Sequence, residues 1–347
     1  ISGGSIDVGS LSVNGRTRLH TLQGLGAAQA SAVGFAGVVG ITRMYDINVA
    51  TVDTDLNANS VVVGALIEDL SAEDAAGEAR SFVVGLGGFT TVVNYLDVRS
   101  RQQVVAGVAG AAGTDVDDLT VSAKDTTELR VGDLGAGKPT VVTDSGASVN
   151  LGGTAVGVSY GYANKDSDVD VWLGKAGRTV DGYNNITVIA ESSGMVKSTA
   201  FALSGGITAG VQGVITDAED NSDVNATIHG TIGTGSGITS ISAQSVPELY
   251  SNAFGVTVSG GYSMGASFAY ATTDSTATAE ITDGVIFTGD GNVILISETG
   301  DASDADYETA NATALAASGG LILGVAGSEA RSTNESESVA RVGDNVT

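Results

Sequence analysis

Three stretches carry residue types at spacings that could do chemistry. Gly261-Tyr262-Ser263-Met264-Gly265 has the form of the strained elbow on which hydrolases expose a nucleophilic serine. Gly132-Asp133-Leu134-Gly135-Ala136-Gly137-Lys138 nearly completes a phosphate-binding loop. Such a loop continues with Ser or Thr for the metal and opens a helix; this one continues with Pro139 and the β-rich Thr140-Val141-Val142. Asp166, Asp168 and Asp170 start like a calcium loop, but its sixth and twelfth positions, which require Gly and Glu, hold Val171 and Gly177. His20 and His229 are the only histidines and stand far apart, without the companions a metal site needs. The absence of cysteine excludes disulfides and thiolate metal sites.

The elements that would position these residues explain the spacings better than catalysis does. Glycine pairs recur at Gly87-Gly88, Gly152-Gly153, Gly205-Gly206, Gly260-Gly261 and Gly319-Gly320, with a degenerate copy from Gly34 to Gly40. After each arm comes a strand-like piece ending at Val52, Val105, Leu173, Ile228, Ile281 or Val342, at successive separations of 53, 68, 55, 53 and 61 residues. A second alternating piece follows in five copies: Val61–Ala65, Leu119–Ala123, Ile186–Ala190, Thr239–Ala243 and Val293–Ser297. β-Branched runs bounded by Gly, Asn and Asp read as strands. In the repeat, the position of Ser263 is taken by Ala155, Thr208 and Ile322, so its glycines serve packing and not a nucleophile.

Repetition at this period marks a stacked architecture. The chain is expected to be all-β: a right-handed parallel β-solenoid of about six degenerate ~55-residue repeats, forming one elongated array over residues 1–347. The copies run approximately over 16–65, 79–123, 147–190, 198–243, 251–297 and 308–347, with an insertion at 124–146. Two or three coils per copy, stacked ~4.8 Å apart, would give a rod of roughly 60 to 85 Å. In Ala200 to Val214, Phe201, Leu203, Ile207 and Val211 share one parity and Ala202, Ser204, Thr208 and Gln212 the other. Helix signals are weak throughout, and the best candidate, Ser71 to Arg80, lacks an apolar stripe.

Acidic residues recur between the arm and the next strand in four successive copies, and stacking would align them along one edge. Asp166, Asp168, Asp217, Asp220 and Asp274 are the candidate cation ligands there, with calcium the cofactor they would bridge; a solvated acidic ridge is the alternative. The net charge of −25, from 40 acids against 15 bases, opposes nucleic-acid binding. Gly is 50 of 347 residues while Pro is 2 and hydrophobic residues are 42%, which suits closely packed strands and not a disordered linker. No apolar run is long enough for a transmembrane helix. Trp172 takes a place held by Thr227 and Glu280 elsewhere and is expected on the outer face.

The pattern Ala-Phe-Ala-Leu-Ser-Gly-Gly…Gly-Val-Gln-Gly-Val…Val-Asn-Ala-Thr-Ile…Ile-Thr-Ser-Ile-Ser-Ala in residues 200–243 resembles the long repeats of bacterial filamentous adhesins. These are the filamentous-haemagglutinin-like and leukotoxin-type surface proteins. The resemblance implies an exported β-solenoid at the cell surface or outside the cell, acting structurally or adhesively, with a host-cell or matrix receptor and no catalytic residue. Partial copies at both ends predict a middle portion of a longer fibre, continued by further repeats or by head-to-tail copies of itself. Two other functions fit less of the chain. A polysaccharide-active β-helix enzyme would need paired carboxylates and aromatics; the non-repeating stretch offers Asp125, Glu128, Asp133 and Asp144 but no aromatic. An outer-membrane barrel would need aromatic girdles, which 5% aromatics do not supply.

Overall fold

Alternating β-branched and small residues, interrupted by glycine and almost never by proline, leave extended chain as the only regular option over most of this sequence. The computed structural model describes residues 2–19, 22–69, 77–113, 118–131, 146–300 and 309–347. Among these the regular elements are all strands, joined into one large sheet system in which every ladder is parallel. The phosphate-loop-like segment, Asp133, Asp144 and His20 lie outside the described residues, as does most of the helix candidate, whose Gly77–Arg80 end begins the strand Gly77–Val108.

Pairing follows the repeat. Val13, ahead of the first copy, lies beside Val63, then Val121, Val188, Ile241 and Leu295, one residue from each of the first five copies. A second column runs Val52, Val108, Leu173, Ile228, Ile281, Val342. The offset between partners ranges from 50 residues (Ser5 to Asp55) to 69 (Ala111 to Val180). Each copy therefore pairs with the next copy and not with itself. This corrects the expectation of two or three coils per copy: a copy contributes one rung, and six rungs rise only about 24 Å from first to last at ~4.8 Å spacing. Leu129–Val131 also pairs in register with Gly77–Ala79 and Val196–Ser198, so the insertion is narrower than 124–146 and falls between Val131 and Gly146.

Within a rung the chain makes two compartments. The first is a hydrophobic core lined by the two columns above with Ala106, Val171, Ala226 and Ala279, most of its interior members fully buried. Burying each Val, Ile or Leu there contributes about 1.5–3 kcal/mol, before the entropy of ordering the chain is subtracted. The second is a flat arm: strand Asn185–Asp220 runs out to Gly206, turns, and returns from Ala209. Its two layers are close enough for Ser204 Oγ to donate to Ala155 O at 3.0 Å and for Thr216 Oγ to meet Ser251 Oγ at 2.8 Å. Most side chains held between them are small, with Val196, Val214 and Gln212 the larger buried ones in this copy. Ala200, Ala202 and Ser204 point in and are buried, while Phe201, Leu203 and Ile207 point out. The large apolar parity of this arm is thus its outer face.

Candidate functional site

The glycine pairs sit at the arm tips, where the outgoing layer becomes the returning one. Gly87 stacks on Gly152 and Gly152 on Gly206, after which the ladder slips one residue, pairing Gly206 and Gly320 with Ser259. Backbones approach so closely there that a Cβ on Gly152 would lie 2.1 Å from Gly87 O, and one on Gly206 would lie 1.9 Å from Ala209 O. Ser263 is buried in this region, with its hydroxyl 2.6 Å from Ser318 Oγ; it stacks between Gly210 and Gly324, so of the residues aligned with it by glycine spacing Ala155 shares its column while Thr208 and Ile322 do not. It faces the inside of the arm and meets no base.

A groove of about 820 Å³ runs along the tips, between the glycines and Leu151, Ile207 and Val258. Its surroundings expose Val33, Phe35, Phe89, Tyr262, Met264, Leu321 and Ile322; Ile207 is 77% exposed and Leu321 88%. The sequence contained the signal for this surface. None of the segments 31–41, 83–93, 147–158, 200–214, 253–269 and 312–328 holds a charged residue, in a chain of net charge −25. Stacking turns six neutral segments into one apolar strip, the kind of exposed patch that marks an interaction surface.

The outer face of the returning layer is different. Tyr95 and Tyr160 stack on neighbouring rungs with ring centroids 5.0 Å apart. Beside them Asp97 is buried under two guanidiniums, held by Arg99 at 2.8 and 3.1 Å and by Arg43 at 3.1 Å, and Arg99 also lies 4.8 Å over the Tyr162 ring. On the next rung Glu219 accepts hydrogen bonds from Tyr162 and from Asn164 Nδ2. Desolvation, reinforced by Glu219, pushes the Asp217 carboxyl up to about 7, and desolvation raises the Tyr160 phenol to about 12. Tyr270 pairs with Asp217 from the rung beyond. A carboxylate pair with aromatics, sought in the non-repeating stretch, is thus assembled across three copies, where no single copy shows it.

The five candidate cation ligands separate. Asp166 and Asp274 lie at the corner where the arm meets the next strand, with Glu335 on the rung after. Asp168 follows in the adjacent column with Asp223, Thr276 and Glu337. These form a real acidic edge, tempered by Arg101 3.7 Å from Asp166 and by Gln103 donating to Asp168 at 3.4 Å. Desolvation raises Asp166 and Asp170 above the ordinary carboxylate range. Asp217 stands apart on the arm face, and Asp220 turns inward and is buried. No group of three or more His, Asp or Glu among the described residues is arranged to hold a metal ion. Asp125 is also buried, away from the Tyr–carboxylate face, and Glu128 pairs with Arg130 at 3.3 Å.

His229 hydrogen-bonds Thr282 Oγ through Nδ1 at 3.0 Å, and burial lowers its pKa. Trp172 does lie on the outer side, but flat over Gly107 and under the Lys175 ammonium, 5.3 Å from the ring. It caps a rung more than it reaches outward. Comparison with known protein families, with characterised proteins and with solved structures finds no match to this chain.

Proposed function

We propose that this chain is a structural and adhesive segment of a bacterial filament, at the cell surface or outside the cell, built as a right-handed parallel β-solenoid with one turn per ~55-residue copy. The observation that carries the reading is the parallel pairing of each copy on the next, in register apart from single-residue slips at the arm tips. Such a stack grows by adding rungs and leaves a sheet edge at each end, where Phe35, Ile41 and Tyr45 on one side and Leu315, Leu323 and Val325 on the other stand exposed. Exposed edges of this kind recruit another strand. Further repeats, or head-to-tail copies, are the natural occupants, and the neutral tip strip is the surface for a host-cell or matrix receptor.

Two features tell against the alternatives. Membrane barrels are antiparallel, whereas every described ladder here is parallel. A polysaccharide-active enzyme draws support from Asp217 and Glu219 beside Tyr162 and Tyr270, yet these groups lie on an open face and not in a cleft. Electron microscopy of the native assembly tests the proposal: thin filaments support it, and a discrete compact particle contradicts it. Turnover of acidic or neutral polysaccharides, abolished by Asp217→Asn, would favour the enzyme instead.

A further inference from the structure

At the corner between core and arm, two strands bring an amine and a carboxyl together in complete isolation from solvent. Lys165 and Asp125 are both 0% exposed, with Lys165 Nζ 3.5 Å from Asp125 Oδ2. A buried ammonium and carboxylate are costly to desolvate, and only close charge-assisted contacts of about 2.7–2.9 Å compensate well. This pair does not make one. The short contact of Lys165 Nζ is to Ser193 O, at 2.6 Å. Asp125 Oδ1 is instead held by Thr127, from its backbone N–H at 3.0 Å and its hydroxyl at 2.5 Å, and Oδ2 accepts from the Ser167 hydroxyl. A third buried group completes the cluster: Asp220, Cα partner of Lys165 on the next rung, whose Oδ1 accepts from the Ser222 N–H and hydroxyl and from Ser275 Oγ at 3.3 Å.

We propose that Lys165 and Asp125 condense within the folded protein to an intramolecular isopeptide bond, with Asp220 as the proton carrier. Lys165 Nζ, after losing one proton, attacks Asp125 Cγ. The Thr127 donors stabilise the negative charge that develops on Oδ1, as an oxyanion hole does. The C–Oδ2 bond breaks, and Oδ2 leaves as water with two protons that came from the ammonium, relayed through Asp220. One N–H remains on the new amide. No oxidant, metal or activated co-reactant is needed: one amine and one carboxyl give one amide and one water.

The product keeps the contacts already built. Its N–H can still donate to Ser193 O, and Oδ1 remains the carbonyl oxygen under the Thr127 donors. Two buried charges disappear. Burial pushes the Asp220 carboxyl up against the opposing pull of Lys165, consistent with a group that can hold the travelling proton. The bond would tie the strand Asp118–Asp125 to Gly146–Leu173, on either side of the insertion.

Intact-mass spectrometry of the folded, purified chain tests this directly. The expected mass is about 18 Da below that of the sequence, one water, and proteolysis should release a branched peptide joining the segments around Asp125 and Lys165. Lys165→Met should return to its full sequence mass. Asp125→Asn should instead close with loss of ammonia, about 17 Da. A folded wild-type chain at full mass overturns the proposal, whatever the variants do. So does a deficit that persists in Lys165→Met, or a deficit without the branched peptide.

Discussion

At the scale of single residues, the arm tips are the least forgiving positions. A side chain at Gly206 would place its Cβ 1.9 Å from the Ala209 carbonyl oxygen, which cannot retreat without breaking the turn. Gly206→Leu should therefore lower stability by about 1–3 kcal/mol or more, seen as a lower melting temperature and new protease cleavage near the tip. Gly213, in the same strand, has no atom within 4 Å of the place a methyl group would take, and Gly213→Ala should stay within about 0.5 kcal/mol of the parent. Equal effects at both glycines would contradict the tip geometry. Asp217 supplies a second test. Its folded-state pKa of about 7 lies above the ordinary 3.8, so between those values the folded chain keeps a proton that the unfolded chain has released. Stability contributed by this group is present below pH 4 and is lost as pH rises toward 7. Melting temperatures measured across that range should fall less steeply in Asp217→Asn; an unchanged slope would remove Asp217 from the account.

At the scale of elements, much of the strand pattern was legible and its facing was not. Val, Ile and Leu recur in the same place because each rung must fill the same slice of core, so the column through Val188 could be aligned from sequence alone; the column through Ile228 was aligned except in the second copy, where Val108 and not Val105 lies beside Val52. The facing of the arm escaped because, while Val196 and Val214 are buried nearer its base, the interior near its tip takes mostly small side chains. There the usual rule inverts, and Phe201 and Leu203 face outward while Ala202 and Ser204 are buried. Coils per copy could not be read, since alternation reports which face a residue is on and not which strand lies beside it. The Tyr–carboxylate face escaped for a related reason: Tyr95, Tyr162, Asp217 and Tyr270 are neighbours only across rungs. The acidic corner was legible in outline, through Asp166, Asp168 and Asp274, but inward-turning Asp220 was not separable from its outward neighbours. Along that corner like charges lie one rung apart, with screening over about 8 Å at physiological ionic strength. Added salt should raise the melting temperature. At equal ionic strength calcium should exceed an inert salt only where carboxylates on neighbouring rungs, such as Asp168 and Asp223, bridge the ion. A specific calcium increment in a thermal scan would show that the edge bridges cations after all.

At the scale of the whole molecule, one register explains the composition, the repeat and the surface. Glycine and small residues allow thin arms, β-branched residues fill the core, and the net charge of −25 keeps the outer faces apart from one another. All of this rests on each copy lying parallel on the next, and the natural absence of cysteine allows that to be tested cleanly. Thr227 and Glu280 are partners on adjacent rungs, outside the core, whereas Thr278 lies two residues out of register with Thr227. A disulfide needs Cα atoms about 4.4–6.8 Å apart, which adjacent parallel rungs at ~4.8 Å provide and a two-residue displacement does not. The double variant Thr227→Cys with Glu280→Cys should cross-link rapidly under mild oxidation, giving an intramolecular bond identified by peptide mass, while Thr227→Cys with Thr278→Cys should remain reduced. Failure of the first pair to close, or equal closure of both, would contradict the stacked register itself.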